Sequence, residues 1–282
     1  MGTTRARRDP VSRAEPKVPG ATPDVEMING LSYLMEQARF HDGDAVGHIW
    51  LDGEYGADAL RGVQYFAQHH HLTVRGAKVT SAGSDMRDIV TSFAGAPRVK
   101  AIALTTTPEQ TASAVVANQQ LGLKVPMVGN NPVFAPELMT SPAAGALGNL
   151  TVVGSSVPFS SDVPAAQQVA RACQQAGNKK LPNAAMPYGY AIGKIWGQLL
   201  RRACANDNMT RAGIQEALKQ STNITTDKLV ANLDFAKPGA PAAREVYAGV
   251  PDPSVPGGIR QVKPLFVAPD AQTYVAPHQR SN

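Results

Sequence analysis

The side chains able to do chemistry are few, and their spacing argues against most of it. His69, His70 and His71 form the one histidine cluster. Consecutive helical positions point about 100° apart, so three in a row do not converge on one metal. The run reads instead as the C-terminal end of a helix, where imidazolium complements the dipole. His41 and His48 have no ligand-type neighbours. Cys173 and Cys204, the two cysteines of the chain, lie 31 positions apart, which excludes a CxxC redox or zinc reading. They stand as two buried thiols or as one disulfide, the disulfide being expected if the protein reaches an oxidising compartment. Asp52, Glu54 and Asp58 crowd one loop, but nothing fixes an acid–base partner for them. The glycines of DGEYGADALRG do not make a dinucleotide fingerprint, and the chain has no GxxxxGK[ST] loop, GxSxG elbow or HExxH pair. The residues therefore point away from an enzyme, a metal or a cofactor. Two aromatics remain open: Tyr55, followed by glycine, and Tyr188, which follows Pro187; each could stack on a ligand or cover the core.

The elements that would position such residues centre on VKAIALTTTPEQTASAVVANQQLGLKVPMVG, residues 99–129. Its first apolar run, 99–104, reads as a buried strand. The threonines at 105–107 and Pro108 supply a helix start. Ala114, Val115, Ala117 and Leu121 recur at helical spacing, Gly122 stops the helix, and 125–128 is a second strand. Strand, helix and strand make a right-handed βαβ unit with parallel strands. Before it, the pattern predicts a helix at 24–40 capped by Asp24, a strand at 45–51, a helix at 57–70, a strand at 72–80 and a short helix ending at Phe93. After it comes a strand at 150–157. This is a doubly wound α/β layer. Ligands in such layers sit beyond the carboxyl ends of the strands, here loops 51–55, 81–84, 105–107 and 129–134. The remainder predicts helices at 163–176 and 188–203, a third capped by Thr210, a strand at 229–235, proline- and glycine-rich turns over 237–258 and a last strand at 262–267. Too few strands follow residue 157 to build a second sheet, so the second half reads as half a domain.

Net charge is +5, and residues 1–17 hold five basic groups (Arg5, Arg7, Arg8, Arg13, Lys17) against Asp9 and Glu15. The rest has no basic stripe interleaved with aromatics, which argues against nucleic-acid binding. Residues 1–23 are polar and aperiodic and read as a disordered tail. No run approaches the roughly 18 apolar residues of a membrane span. The first residues lack the apolar core of a signal peptide, so the chain, read from Met1, would stay in the cytoplasm.

Four ordered blocks carry a resemblance: VGHIWLDGEYGADALRGVQYF, AIALTTTPEQTASAVVANQQLGLKVPMVGNNPVFAPELM, MPYGYAIGKIWGQLLRRAC and MTRAGIQEALKQ. Together they are similar to the type I periplasmic binding proteins, in particular the branched-chain amino-acid (Leu/Ile/Val) substrate-binding components of ABC importers. The resemblance spans about residues 25–275. It implies two α/β lobes joined by crossovers, a small amino-acid or amide-like ligand clamped between them, and a membrane ABC permease as partner. It places the ligand against Tyr55, Thr105, Thr106, Asn130, Asn131 and Tyr188. Asn131 stands where amino-acid binders of the group often carry a carboxylate, and a neutral amide does not supply that charge-assisted bond, so another small polar ligand is open. The resemblance also implies that most of the first lobe's sheet is missing, through truncation or a start lying upstream. The domain reading is a tail over 1–23, an α/β lobe over 24–158 with helix 24–40 at the lobe junction, the helical part of a second lobe over 159–235, and a return segment with the last strand over 236–282. A ligand-sensing regulatory domain of the same fold, acting on a cytoplasmic partner, is the alternative.

Overall fold

The computed structural model describes residues 18–280. Seven strands form one sheet in the order β2-β1-β3-β4-β5-β6-β7: β1 (Ala45–Leu51), β2 (Thr73–Val79), β3 (Val99–Thr105), β4 (Met127–Gly129), β5 (Leu150–Gly154), β6 (Val246–Pro251) and β7 (Ile259–Phe266). The first five are mutually parallel, while β6 and β7 pair antiparallel. Helices α1 (Pro23–Glu36) and α2 (Glu54–His69) cover one face, and α3 (Arg87–Ser92) and α4 (Pro108–Gln120) cover the other.

The strand pattern explains the two-sided cover. Ala101 and Ala103 of β3 join a core with Met27, Ile28 and Leu31 of α1 and Val63 and Phe66 of α2. The alternating Ile102 and Leu104 join the opposite core with Val90 of α3 and Val115 of α4. A strand buried on both faces reads as a continuous apolar run, and β3 does. Thr107 and Gln110 form the reciprocal capping box at the start of α4. Gly122, at φ +65°, carries the chain out of that helix. Helices α1 and α2 approach so closely that a Cβ on Gly62 would lie 2.2 Å from the Asp24 carbonyl oxygen.

A third core belongs to α5 (Pro164–Gln175), α6 (Ala185–Ala205), α7 (Arg211–Lys219) and the buried segment Leu229, Val230, Leu233 and Phe235. Thr210 caps α7 through its hydroxyl as expected. A short α8 (Pro269–Thr273) docks back onto α1.

Several expectations need correction. Segment 229–235 is not a strand; Leu233 makes a lone antiparallel bridge to Ile224. Asp227 and Lys228 take positive φ, and the Thr226 hydroxyl accepts from the Val230 N–H, so the apolar run is buried as an irregular turn. The stretch read as turns at 237–258 contains β6. The last strand, β7, pairs with β6 in the same sheet as the α/β layer. Helix α1 begins at Pro23 after Thr22 rather than at an Asp24 cap; proline at the first position needs no N–H partner. Most of the tail expectation, residues 1–17, lies outside the described residues. The part described, 18–22, is a hydrogen-bonded crossover: Ala21 N–H donates to Ser155 Oγ at 2.9 Å, and Ala243 N–H donates to the Gly20 carbonyl at 3.3 Å.

The expected disulfide is not formed. Cys173 and Cys204 are free. Cys173, near the end of α5, packs its Sγ 3.7 Å from Met186 Sδ at the beginning of α6. Cys204 lies at the far end of α6, about 27 Å further along at 1.5 Å per residue.

Candidate functional site

The candidate site lies at the carboxyl edge of the parallel strands, beside segment 18–22 and the start of α1. The turn after β1 uses Gly53 at φ +118°, a conformation glycine takes without a Cβ clash, and this turns the chain into α2 with Tyr55 in its first turn. The Tyr55 hydroxyl donates to Asn130 Oδ1, and Asn130, directly after β4, is fully buried. Asn130 Nδ2 closes no hydrogen bond of its own and faces the carboxylate of Glu26 in the first turn of α1. Glu26 Oε1 accepts from the Ser155 N–H at 3.1 Å, and the single Ser155 hydroxyl proton serves either Glu26 Oε1, at 3.0 Å, or the Ala21 carbonyl, at 3.2 Å. A buried polar chain thus runs from Tyr55 through Asn130 and Glu26 to Ser155 and the Ala21 carbonyl.

Burial raises the Glu26 carboxyl to about 7; the hydrogen bonds from Ser155 and the amide of Asn130 that faces it hold it down in part, and the Asp24 charge pushes it further up. Burial also raises the Tyr55 phenol, and the Glu26 charge adds to the rise. Tyr188, in the first turn of α6, is raised by burial and then by Glu26. Tyrosines from the α/β layer and from the helical segment therefore share the field of one carboxylate. Beside Tyr55 opens a cleft of about 390 Å³, bordered by Thr22, Asp24, Asp58, Arg61 and Pro241.

Of the six expected ligand residues, the structure brings Tyr55 and Asn130 into contact and sets Tyr188 within electrostatic reach of the same acid. Thr105 and Thr106 are fully buried. Thr105 Oγ1 lies 3.1 Å from His48 Nε2, and Thr106 Oγ1 lies 2.8 Å from Thr111 Oγ1, so both hydroxyls are engaged inside the layer. His48 itself is held neutral, its imidazole pushed down to about 3 by burial. Asn131 opens a short 3₁₀ turn and lines a separate cavity of about 40 Å³ with Phe134, Gly154 and Tyr247.

Glu26 is the residue the sequence reading missed. An acidic residue in a first helical turn ordinarily signals a dipole complement at the surface; its burial comes from partners more than a hundred residues away.

The histidine run ends α2. His69 Nδ1 is 2.9 Å from the Tyr65 carbonyl, and His70 bridges Asp42 at 2.8 Å and Asp270 at 3.0 Å. Burial works to lower the His70 imidazole, but the hydrogen bonds to Asp270 and Asp42 outweigh it and the net direction is up. Among the described residues no group of three or more His, Cys, Asp or Glu could hold a metal ion, and no helix is long and apolar enough to cross a membrane.

A parallel α/β layer with a polar cluster at its carboxyl edge has the arrangement in which such sheets hold ligands. Residues 18–252 match the periplasmic binding protein family, and the chain belongs to it. Among solved structures it is similar to a fatty acid ABC transporter substrate-binding protein from Thermomonospora curvata, at 32% identity and TM-score 0.88, over 93% of this chain and 67% of that one. A branched-chain amino-acid ABC transporter protein from Thermus thermophilus with bound valine shares the fold, at 15% identity and TM-score 0.74, over 94% of this chain and 70% of that one. A substrate-binding periplasmic protein from Ralstonia solanacearum does likewise, at 20% identity and TM-score 0.69, over 86% and 67%. The chain thus spans about two thirds of the length of these relatives. No curated protein sequence matches it.

Proposed function

We propose that the protein is a solute-binding component of an ABC importer, carrying a small polar ligand outside the cytoplasm to a membrane permease without chemical change. The observation that carries this reading is the buried Asn130 amide at the sheet's carboxyl edge. Its oxygen is taken by Tyr55 while its Nδ2 donor is unspent, and an unmade buried hydrogen bond is costly until a ligand or a neighbour completes it. Tyr55 and Asn130 would hold the polar head of the ligand from the α/β lobe, with Tyr188 approaching from the helical segment. Asn131 would contact the ligand from the adjoining cavity, and Thr105 and Thr106 would shape the site from beneath. The 32% identical relative, a fatty acid substrate-binding protein by its description, supports the transport role and adds acyl carboxylates to the amino acids and amides already in view.

The test is a thermal melt repeated against amino acids, amides and short and medium-chain carboxylates. A ligand at about 100 times its Kd adds about 2.7 kcal/mol to the folded state, so the expected result is a raised midpoint with one class. A melt blind to the whole panel overturns the reading.

A further inference from the structure

Segment 268–276 is a strap tied to the α/β layer at a few points. Its helix, α8, has five residues, too few to hold its shape without tertiary contacts. Ala268, Ala271, Tyr274 and Ala276 are buried with Met27, Ile28 and Leu31 of α1. Asn29 Oδ1 accepts from the Ala268 N–H at 2.7 Å, and Arg244 donates to the Ala271 carbonyl at 2.7 Å. From α2, the Tyr65 ring meets the Tyr274 ring at 4.8 Å between centroids, and the Tyr65 hydroxyl lies 3.3 Å from Thr273 Oγ1. The strap also forms part of the cleft beside Tyr55: Ala276 borders it, and Tyr274 faces Asp24, which borders it too.

One further hold on the strap depends on a proton. His70, just past α2, sets Nε2 3.0 Å from Asp270 Oδ2 of α8 and Nδ1 2.8 Å from Asp42 Oδ1 of loop 37–44. Among the described residues, Asp270 and Asp42 are the charged groups acting on this ring, and its own helix presents the Phe66 ring at 4.3 Å. Neighbouring His41 is turned toward Asp44, and His69 toward the Tyr65 carbonyl. An imidazolium carries a donor on each nitrogen and completes both bonds. A neutral imidazole has one N–H, so one carboxylate is left facing a lone pair, and the bond that remains loses the cation's share of its strength.

We propose that His70, Asp42 and Asp270 form a pH-sensitive clasp, in which the protonated ring ties segment 268–276 to α2 and to loop 37–44, and the neutral ring loosens it. The clasp goes beyond the solute-binding reading and does not depend on it. Its sign follows from the folded imidazole lying above 6.5: the hold is complete below the unfolded value and is lost as pH rises through the folded one. The strap stays anchored by Asn29, Arg244 and its buried side chains, so it loosens locally, and the wall of the cleft at Ala276 loosens with it.

The test is amide hydrogen exchange of the full chain at pH 5.5 and pH 8.5, expressed as protection factors, with an NMR titration of the His70 ring. The Gln272 and Tyr274 N–H groups, bonded to the Ala268 and Asp270 carbonyls, report the strap, and amides of β3 report global stability, which Glu26 also makes pH-dependent. In wild type, protection of the strap is expected to fall about threefold or more relative to β3 on going to pH 8.5, and the ring to titrate above 6.5. Asp270→Asn and His70→Gln are expected to abolish the relative fall, and Asp270→Asn to lower the ring's titration. A ring titrating at or below 6.5, a strap that keeps pace with β3 in wild type, or a fall that persists in both variants overturns the clasp. Asp42→Asn, at an exposed position, is expected to lower the ring's titration and serves as the variant of record should the other two fail to fold.

Discussion

Helices α1 and α6 are packed in opposite ways. In α1, ten of fourteen residues are buried, including Asp24, Glu26 and Asn29, because strands, α2 and α8 close around it. In α6, a longer helix, the buried residues are Pro187, Ala191, Ile195, Leu199 and Ala203. They recur every four positions and make one narrow stripe against α5 and α7. The opposite side carries Tyr190, Trp196 and Leu200, with Trp196 50% exposed. Where a helix is enclosed, its polar side chains must find partners inside the fold, and this is how Glu26 becomes tied to Ser155 and Asn130. Where a helix is covered on one side, its glycines and aromatics are left at the surface.

The largest effects should come from the enclosed side. Gly62→Ala places a Cβ against the Asp24 backbone, and overpacking against a main chain that cannot rotate away should cost about 3 kcal/mol. Leu31→Ala should cost about 2–5 kcal/mol in urea unfolding. Either variant unfolding with wild-type stability would break the contrast.

The next effect depends on pH. The folded Glu26 carboxyl, raised from 4.5 to about 7, binds a proton that the unfolded chain has already lost. Its neutral form therefore contributes stability that is present below pH 4.5 and disappears as pH rises through 7. Glu26→Gln, which mimics the neutral form, should be nearly neutral at pH 4.5 and stabilising by about 3 kcal/mol at pH 8. Equal gains at both pH values would mean that the carboxylate is not desolvated.

A smaller effect marks the open side. A Cβ on Gly193 in α6 would meet nothing within 4 Å, so Gly193→Ala should stabilise by up to about 1 kcal/mol through helix propensity. Destabilisation would show that this face is covered in solution. The smallest expected effect is none: with both cysteines free, dithiothreitol should leave the melting midpoint unchanged, while a maleimide should label exposed Cys204 faster than half-buried Cys173.

What could be read from the sequence follows the same division. Strands β1 and β3 and helices α2 and α4 are set by local patterns, and their positions follow from apolar runs, caps and Gly122. Strand β6 escaped because its six residues sit among prolines and glycines, and its pairing with β5 spans some ninety residues. Residues 229–235 misled for the converse reason: an apolar run records burial, and here burial is met by Thr226 and a turn rather than by a sheet. At the site, Tyr55 and Asn130 were marked by their place after strands. Glu26 was hidden because its environment is made by Ser155, 129 positions away.

The antiparallel finish of the sheet has a consequence for biosynthesis. Strand β5 is the edge of the parallel set until β6, about ninety residues later, pairs with it. At about 5–20 residues per second the ribosome needs on the order of 5–20 s to supply that stretch. During that interval the nascent chain presents an open strand edge, a template for pairing with neighbouring chains. Aggregation during expression should therefore track how quickly residues 246–266 emerge, and holding back that segment should favour insoluble product even where the preceding five strands have already assembled.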